Sequence, residues 1–276
     1  MDFVFRRTYR GPLKAAILDW AGTAVDYGCC APAAVFIKVF ERQGVGITPE
    51  QARGPMGLMK KDHIRAISEM DAVAARWQEV HRRRCTESDV EAMFQDFVPR
   101  QMACLKDYAD PIPGALDAVA RFRARGLQIG STTGYTRPMM EILTVEAKKR
   151  GYAPDAWVCA TDVPAGRPYP WMAFQNAIAL QVYPLEACVK IGDTLPDIEE
   201  GLNAGMWTIG VARTGNEIGL TEAEVAALPA EVLRSKLDRA YERMRQAGAH
   251  YVADGLADCD PILDDISARL ARGERP

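Results

Sequence analysis

Short apolar runs alternate with longer stretches of helical periodicity along most of this chain. Residues 15–19, 127–131, 156–159, 188–191 and 207–211 are apolar runs bounded by Gly, Pro or polar side chains, the pattern of strands buried on both faces. Between most of them, residues 114–125, 138–150, 170–180 and 197–204 carry apolar side chains at helical spacing, and several of these stretches stop at a Gly. The alternation predicts an α/β fold: a Rossmann-like parallel sheet with right-handed helical crossovers and functional loops at the strands' C-terminal ends.

Residues 27–106 break the alternation. They hold helical periodicity at 32–43, 60–69, 72–84 and 87–105 and no convincing strand. We read them as an all-helical cap domain inserted into a core made of residues 1–26 and 107–276. Gly, Pro and Asp cluster at both junctions, 26–28 and 108–113, where a hinge could sit.

The 276 residues are 48% hydrophobic and 26% charged, an ordinary globular composition without repeats or low-complexity segments. A net charge of -3 gives no basic footprint for nucleic acid or an anionic membrane, so a small-molecule ligand is expected. Seven cysteines with no CxxC pair read as reduced thiols of a cytoplasmic protein. Arg6, Arg7, Arg10 and Lys14 precede an apolar stretch too short for a secretory or membrane-spanning segment.

The candidate chemistry sits where strands end. Asp19-Trp20-Ala21-Gly22-Thr23 places a carboxylate at the edge of the first strand with a Gly turn behind it. An ionised Asp can attack phosphorus if a divalent cation offsets the repulsion between two anions; alone, the same string is also a capped turn. Lys190-Ile191-Gly192-Asp193-Thr194-Leu195-Pro196-Asp197 puts two more carboxylates at a strand end that opens a helix. Oxygen ligands of this kind suit Mg2+, although Asp197 is equally a helix cap. Ser131-Thr132-Thr133-Gly134 offers hydroxyls and backbone N–H groups for a phosphate. Arg167, among Pro164, Pro168 and Pro170 with Trp171 nearby, is a cation in a stiffened loop that could pair with phosphate and with Asp19.

In order and spacing, Asp19 through Thr23, Thr133, Arg167 and Gly192 through Asp197 resemble the four motifs of the haloacid dehalogenase superfamily of phosphotransferases. The resemblance implies an Asp nucleophile, Mg2+ and a mobile cap. One departure narrows the reaction. Most phosphatases of that superfamily carry a second Asp two residues after the nucleophile to protonate the leaving alcohol, and here that position is Ala21.

The cap segment Pro55-Met56-Gly57-Leu58-Met59-Lys60-Lys61-Asp62-His63 resembles the phosphonatases, the phosphonoacetaldehyde hydrolase family. So do Tyr27-Gly28-Cys29, Thr133-Gly134-Tyr135, Gly166 through Trp171 and Gly205-Met206-Trp207. The implied reaction cleaves the C–P bond of phosphonoacetaldehyde to acetaldehyde and phosphate, a step in phosphonate (2-aminoethylphosphonate) degradation. A carbanion next to a simple aldehyde is a poor leaving group, whereas an imine formed with a lysine amine accepts the electron pair. Lys60 would form that imine, its amine kept neutral by burial and by its cationic neighbour Lys61, and His63, three residues on, would shuttle protons.

By the same resemblance Asp19, the Ala21 carbonyl and Asp193 would hold the metal, with Asp197 in support. Thr133, Gly134 and Arg167 would hold the phosphoryl oxygens, and Cys29, Met56 and Tyr135 would surround the substrate. A homodimer through the cap is implied, with Met59, Ile64, Ile67, Met70 and Trp77 as apolar surface or as cap core. A phosphate-ester phosphatase or a dehalogenase on the same scaffold is the alternative enzyme, and a phosphometabolite-binding protein the non-catalytic one.

Overall fold

The computed structural model describes residues 8–276, so Arg6 and Arg7 lie outside the described residues. The chain opens with β1 (Ala15–Leu18), which enters the middle of a parallel sheet. A helical insertion follows: α1 (Cys30–Arg42), α2 (Pro49–Arg53), α3 (Lys60–Glu69), α4 (Asp71–His81) and α5 (Glu87–Cys104). The α/β alternation then resumes with α6 (Ala115–Ala124), β2 (Gln128–Thr133), α7 (Arg137–Lys149), β3 (Ala156–Cys159), α8 (Trp171–Ala179), β4 (Cys188–Gly192), α9 (Leu195–Asn203) and β5 (Trp207–Val211). The chain closes with α10 (Glu222–Ala227), α11 (Ala230–Gln246), β6 (Tyr251–Ala253) and α12 (Asp260–Ala271).

The sheet order is β3-β2-β1-β4-β5-β6, all parallel. All four side chains of β1 are buried, which explains its unbroken Ala-Ala-Ile-Leu sequence. Register positions the site: Leu18 pairs with Ser131 on one side and Ile191 on the other. The residues that follow each of these three, Asp19, Thr132-Thr133 and Gly192-Asp193, therefore emerge together at one edge.

The five predicted strands and four predicted core helices are all present, displaced by no more than three residues at either end. The pattern assigns nothing beyond residue 211, and two features of the structure explain why. β6 is three residues long with Tyr251 and Val252 only half-buried, and α11 buries only Ala240 and Met244 along 17 residues. α2, at five residues, is also below the length at which periodicity registers.

The insertion folds around its own apolar stripe. Phe36, Val39 and Phe40 of α1, Ile64 and Ile67 of α3, Trp77 of α4 and Val90, Met93 and Phe97 of α5 are buried together, with Phe36 and Phe97 stacked at 4.4 Å. Ile64, Ile67 and Trp77 are thus cap core and cannot offer dimer surface, while Met59 and Met70 are half-buried.

Candidate active site

Asp19 follows β1 directly, and its N–H still donates to the Ile191 carbonyl at 2.9 Å, which fixes it to the sheet edge. The turn behind it passes so close to Asp193 that a Cβ at Gly22, where φ is +86°, would stand 2.1 Å from Asp193 Oδ2. Only glycine fits there. Asp193 comes from the end of β4. Thr194, not Asp197, is the N-cap of α9; Asp197, three residues on, completes a capping box, accepting from Thr194 N–H at 3.2 Å and Thr194 Oγ1 at 2.5 Å. The three carboxylates are buried and offer oxygens within 4.8 Å of one another.

Their environments differ. Burial and the neighbouring Asp197 push Asp19 up, against Arg167 and Lys190. Burial, Asp19 and Asp197 push Asp193 well above the usual carboxylate range. Asp197, against the upward push of burial, is held below that range by Arg167 and Lys190.

Arg167 is committed to this cluster. Its Nη2 donates to Asp19 Oδ1 at 2.6 Å, Thr132 Oγ1 at 2.8 Å and the Thr132 carbonyl at 2.9 Å, and lies 3.0 Å from Asp197 Oδ1; its Nε donates to Glu200 Oε2 at 2.9 Å. Lys190, in the middle of β4, donates to Asp197 Oδ1 at 2.5 Å and lies 3.6 Å from Glu200 Oε2. Trp171 takes no part: it is 40% exposed and stacked on Tyr169. Nothing in the sequence reading assigns Lys190, Glu200 or Thr132 to this cluster. A charged residue between Val189 and Ile191 in an otherwise apolar strand was the available signal for Lys190.

The donor set fits a hard divalent cation. Asp197 is occupied by Lys190, Arg167 and Thr194. Asp193, by contrast, accepts from Asn216 N–H at 2.8 Å and Thr23 Oγ1 at 3.3 Å, and no side-chain cation pairs with it among the described residues. Around the site, four buried carboxyl groups, Asp19, Asp193, Asp197 and Glu200, face three buried basic side chains, Arg167, Lys190 and Lys60. A cation between Asp19 and Asp193 would offset the excess.

Lys60 faces this edge from the start of α3. It is 4% exposed, its Nζ stands 4.8 Å from the Tyr135 ring centroid and 5.8 Å from that of Phe36, and no carboxylate pairs with it among the described residues. Burial pushes its amine down, against the pull of Cys29 and Asp19, with Arg167 adding to the depression. The depressing cation is therefore Arg167 and not Lys61, which turns outward to Glu87 at 3.1 Å and Glu91 at 2.6 Å. His63 is fully buried, with Nε2 2.8 Å from the Ala52 carbonyl and Nδ1 without a partner among the described residues, and its ring stacks on Phe36 at 3.8 Å. Burial and then Lys60 hold it well below the usual imidazole value.

Asp19, Ala21, Cys29, Met56, Lys60, Thr133, Gly134, Tyr135 and Arg167 line one cavity with Pro32, Gly57 and Thr194. Its volume is about 20 Å³, room for roughly one water molecule. Asp193, Asp197 and His63 stand behind this lining. The seam is tight: a Cβ at Gly134 would stand 2.5 Å from the Leu58 carbonyl, and one at Gly57 2.3 Å from Thr194 Oγ1. All seven cysteines are free, and no helix among the described residues is long and apolar enough to cross a membrane.

The haloacid dehalogenase-like hydrolase family model matches residues 13–205. A phosphonoacetaldehyde hydrolase of Syntrophobacter fumaroxidans is 52% identical over 274 residues, 99% of either chain. One from Bacillus cereus is 48% identical over 92% of this chain and 96% of its own. The crystal structure of a phosphonoacetaldehyde hydrolase-like protein from Oleispira antarctica superposes over the whole of both chains with a TM-score of 0.97 at 39% identity. With its motifs, its six-stranded parallel sheet and these relatives in agreement, the chain belongs to the haloacid dehalogenase-like hydrolases and, within them, to the phosphonoacetaldehyde hydrolase family.

Proposed function

We propose that this enzyme hydrolyses the C–P bond of phosphonoacetaldehyde, and that its own place is in 2-aminoethylphosphonate degradation within the cytoplasm. The observation that carries the reading is a buried lysine, without a carboxylate partner among the described residues, lining the same small cavity as Asp19. The names of the relatives support the same reaction.

In this reading Lys60, as the neutral amine, adds to the aldehyde carbon and expels water to give an imine that carries a proton on nitrogen. Asp19 attacks phosphorus, the C–P bond breaks, and its electron pair moves into the iminium to give an enamine. Water cleaves the aspartyl-phosphate to phosphate. The enamine takes a proton on carbon, and a second water releases acetaldehyde and frees Lys60, so the balance is one substrate and one water to two products. Asp19, the Ala21 carbonyl and Asp193, with Asp197 in support, would hold Mg2+, which would supply positive charge against the repulsion between the carboxylate and the phosphonate.

Thr133, Gly134 and Arg167 hold the phosphoryl oxygens, while Cys29, Met56 and Tyr135 shape the space around the imine. His63 does not line the cavity, so we assign it a proton relay that acts through Lys60. Ala21 leaves no acid for an alkoxide leaving group, which disfavours ester hydrolysis. Residues 27–106 act as the cap domain over a core of 1–26 and 107–276 and open to admit substrate, because the cavity holds no more than about a water molecule. The protein pairs as a homodimer through the cap, on faces other than the buried Ile64, Ile67 and Trp77.

The test is incubation with phosphonoacetaldehyde and Mg2+. Acetaldehyde and phosphate are expected in equal amounts, with both lost in Asp19→Asn and on chelation. Release of phosphate without acetaldehyde overturns the reading.

A further inference from the structure

The loop after β5 touches the sheet edge, the junction at residues 26–29 and the helical insertion at once. Thr214 Oγ1 donates to the Gly22 carbonyl at 2.9 Å, and the Gly28 N–H donates to the Thr214 carbonyl at 2.7 Å. Two residues further, the Asn216 N–H donates to Asp193 Oδ2 at 2.8 Å. The Asn216 side chain meets Arg53, the last residue of α2, twice: Arg53 Nη1 donates to Asn216 Oδ1 at 3.3 Å, and Asn216 Nδ2 donates to the Arg53 carbonyl at 3.2 Å.

Arg53 Nη1 also donates to the carbonyls of Gly28 at 2.7 Å and Cys29 at 3.2 Å, where the insertion begins. The loop is moulded to this guanidinium. At Gly219, where φ is +65°, a Cβ would stand 2.7 Å from Arg53 Nε.

We infer that Arg53 and Asn216 form a closure latch, two positioning residues whose mutual hydrogen bonds form as the insertion shuts and register that closure on the Asp193 carboxylate. The inference rests on the reading that the insertion opens to admit substrate. The side chain of Asn216 reaches the insertion while its backbone N–H holds Asp193, so one residue senses both events. Closure without the latch draws on substrate binding instead, which raises KM more than it lowers kcat.

Cys29 gives a readout independent of turnover, because it lines the cavity and is 3% exposed in the closed form. The experiment measures alkylation of Cys29 by N-ethylmaleimide, resolved from the other cysteines by peptide mass mapping, alongside kcat and KM. In Asn216→Ala, which keeps the backbone N–H on Asp193, alkylation is expected to rise about tenfold and KM about tenfold, with kcat within about threefold of the parent. Arg53→Gln should match it, and the double variant should add little to either alone.

Unchanged Cys29 reactivity in folded Asn216→Ala and Arg53→Gln overturns the latch, as does a fall in kcat with KM unaltered. Raised reactivity in variants of a parent that releases no acetaldehyde upholds the latch and sinks the hydrolysis reading alone.

Discussion

Lys60 of α3 stands over the ring of Tyr135, with its Nζ 4.8 Å from the centroid, across the seam between the insertion and the sheet edge. The ring face attracts the ammonium form, while burial, the larger influence, favours the neutral amine. Removing the ring should lower the amine further. The acid limb of the pH profile of kcat/KM is expected to move to lower pH in Tyr135→Leu and to stay with the parent in Tyr135→Phe. Steady-state rates across the neutral to alkaline range check this.

Lys190 and Arg167 together hold Asp197 and Glu200 in the interior. Lys190→Met leaves two buried carboxylates with one cation fewer, and the expected cost is roughly 3–5 kcal/mol. Denaturant unfolding measures it. A loss below about 1 kcal/mol would mean that the cluster does not depend on Lys190.

How far the sequence revealed this site follows from where each residue lies. Asp19 and Asp193 follow strands with apolar runs and Thr133 ends a third strand, so their convergence at one edge was legible before any coordinates. Lys190 and Glu200 were not, because their partners are one another, Asp197, Thr132 and Arg167, and Thr132 and Arg167 lie more than twenty residues away in the chain. The supposed effect of Lys61 on Lys60 failed for a geometric reason. Successive helical residues point about 100° apart, so Lys61 turns out toward Glu87 and Glu91 while Lys60 turns in. The C-terminal elements stayed hidden because α11 shows water a charged face on nearly every turn.

The seam itself is testable at Gly134, where an added Cβ would meet the Leu58 carbonyl at 2.5 Å. The clash lies between the insertion and the sheet edge, so Gly134→Ala should penalise closure more than folding. KM is expected to rise about tenfold or more, a closure penalty of roughly 1–3 kcal/mol, with a melting temperature near that of the parent. A large fall in melting temperature with KM unchanged would contradict this.

Asp26, at the junction before α1, accepts from the N–H groups of Cys30 at 3.0 Å and Ala31 at 3.1 Å. Burial pushes it up to about 7, against those donors. The folded form therefore holds this proton more tightly than the unfolded chain between about pH 4 and pH 7. The stability contribution is complete below pH 4 and is lost as the pH rises through 7. Asp26→Asn keeps a side chain that never ionises, so its stability relative to the parent should improve by up to roughly 3 kcal/mol from pH 5 to pH 8. Urea unfolding of both proteins at the two pH values checks the sign.

The proposed reaction passes through a covalent bond between Lys60 and the aldehyde, and reductive trapping reads it directly. Protein treated with phosphonoacetaldehyde and borohydride, then digested and mapped by mass spectrometry, should carry the reduced adduct on the peptide containing Lys60 and lose activity in proportion, while Lys60→Arg traps nothing and does not turn over. An unmodified Lys60 in inactivated enzyme, or full turnover by Lys60→Arg, would contradict the account.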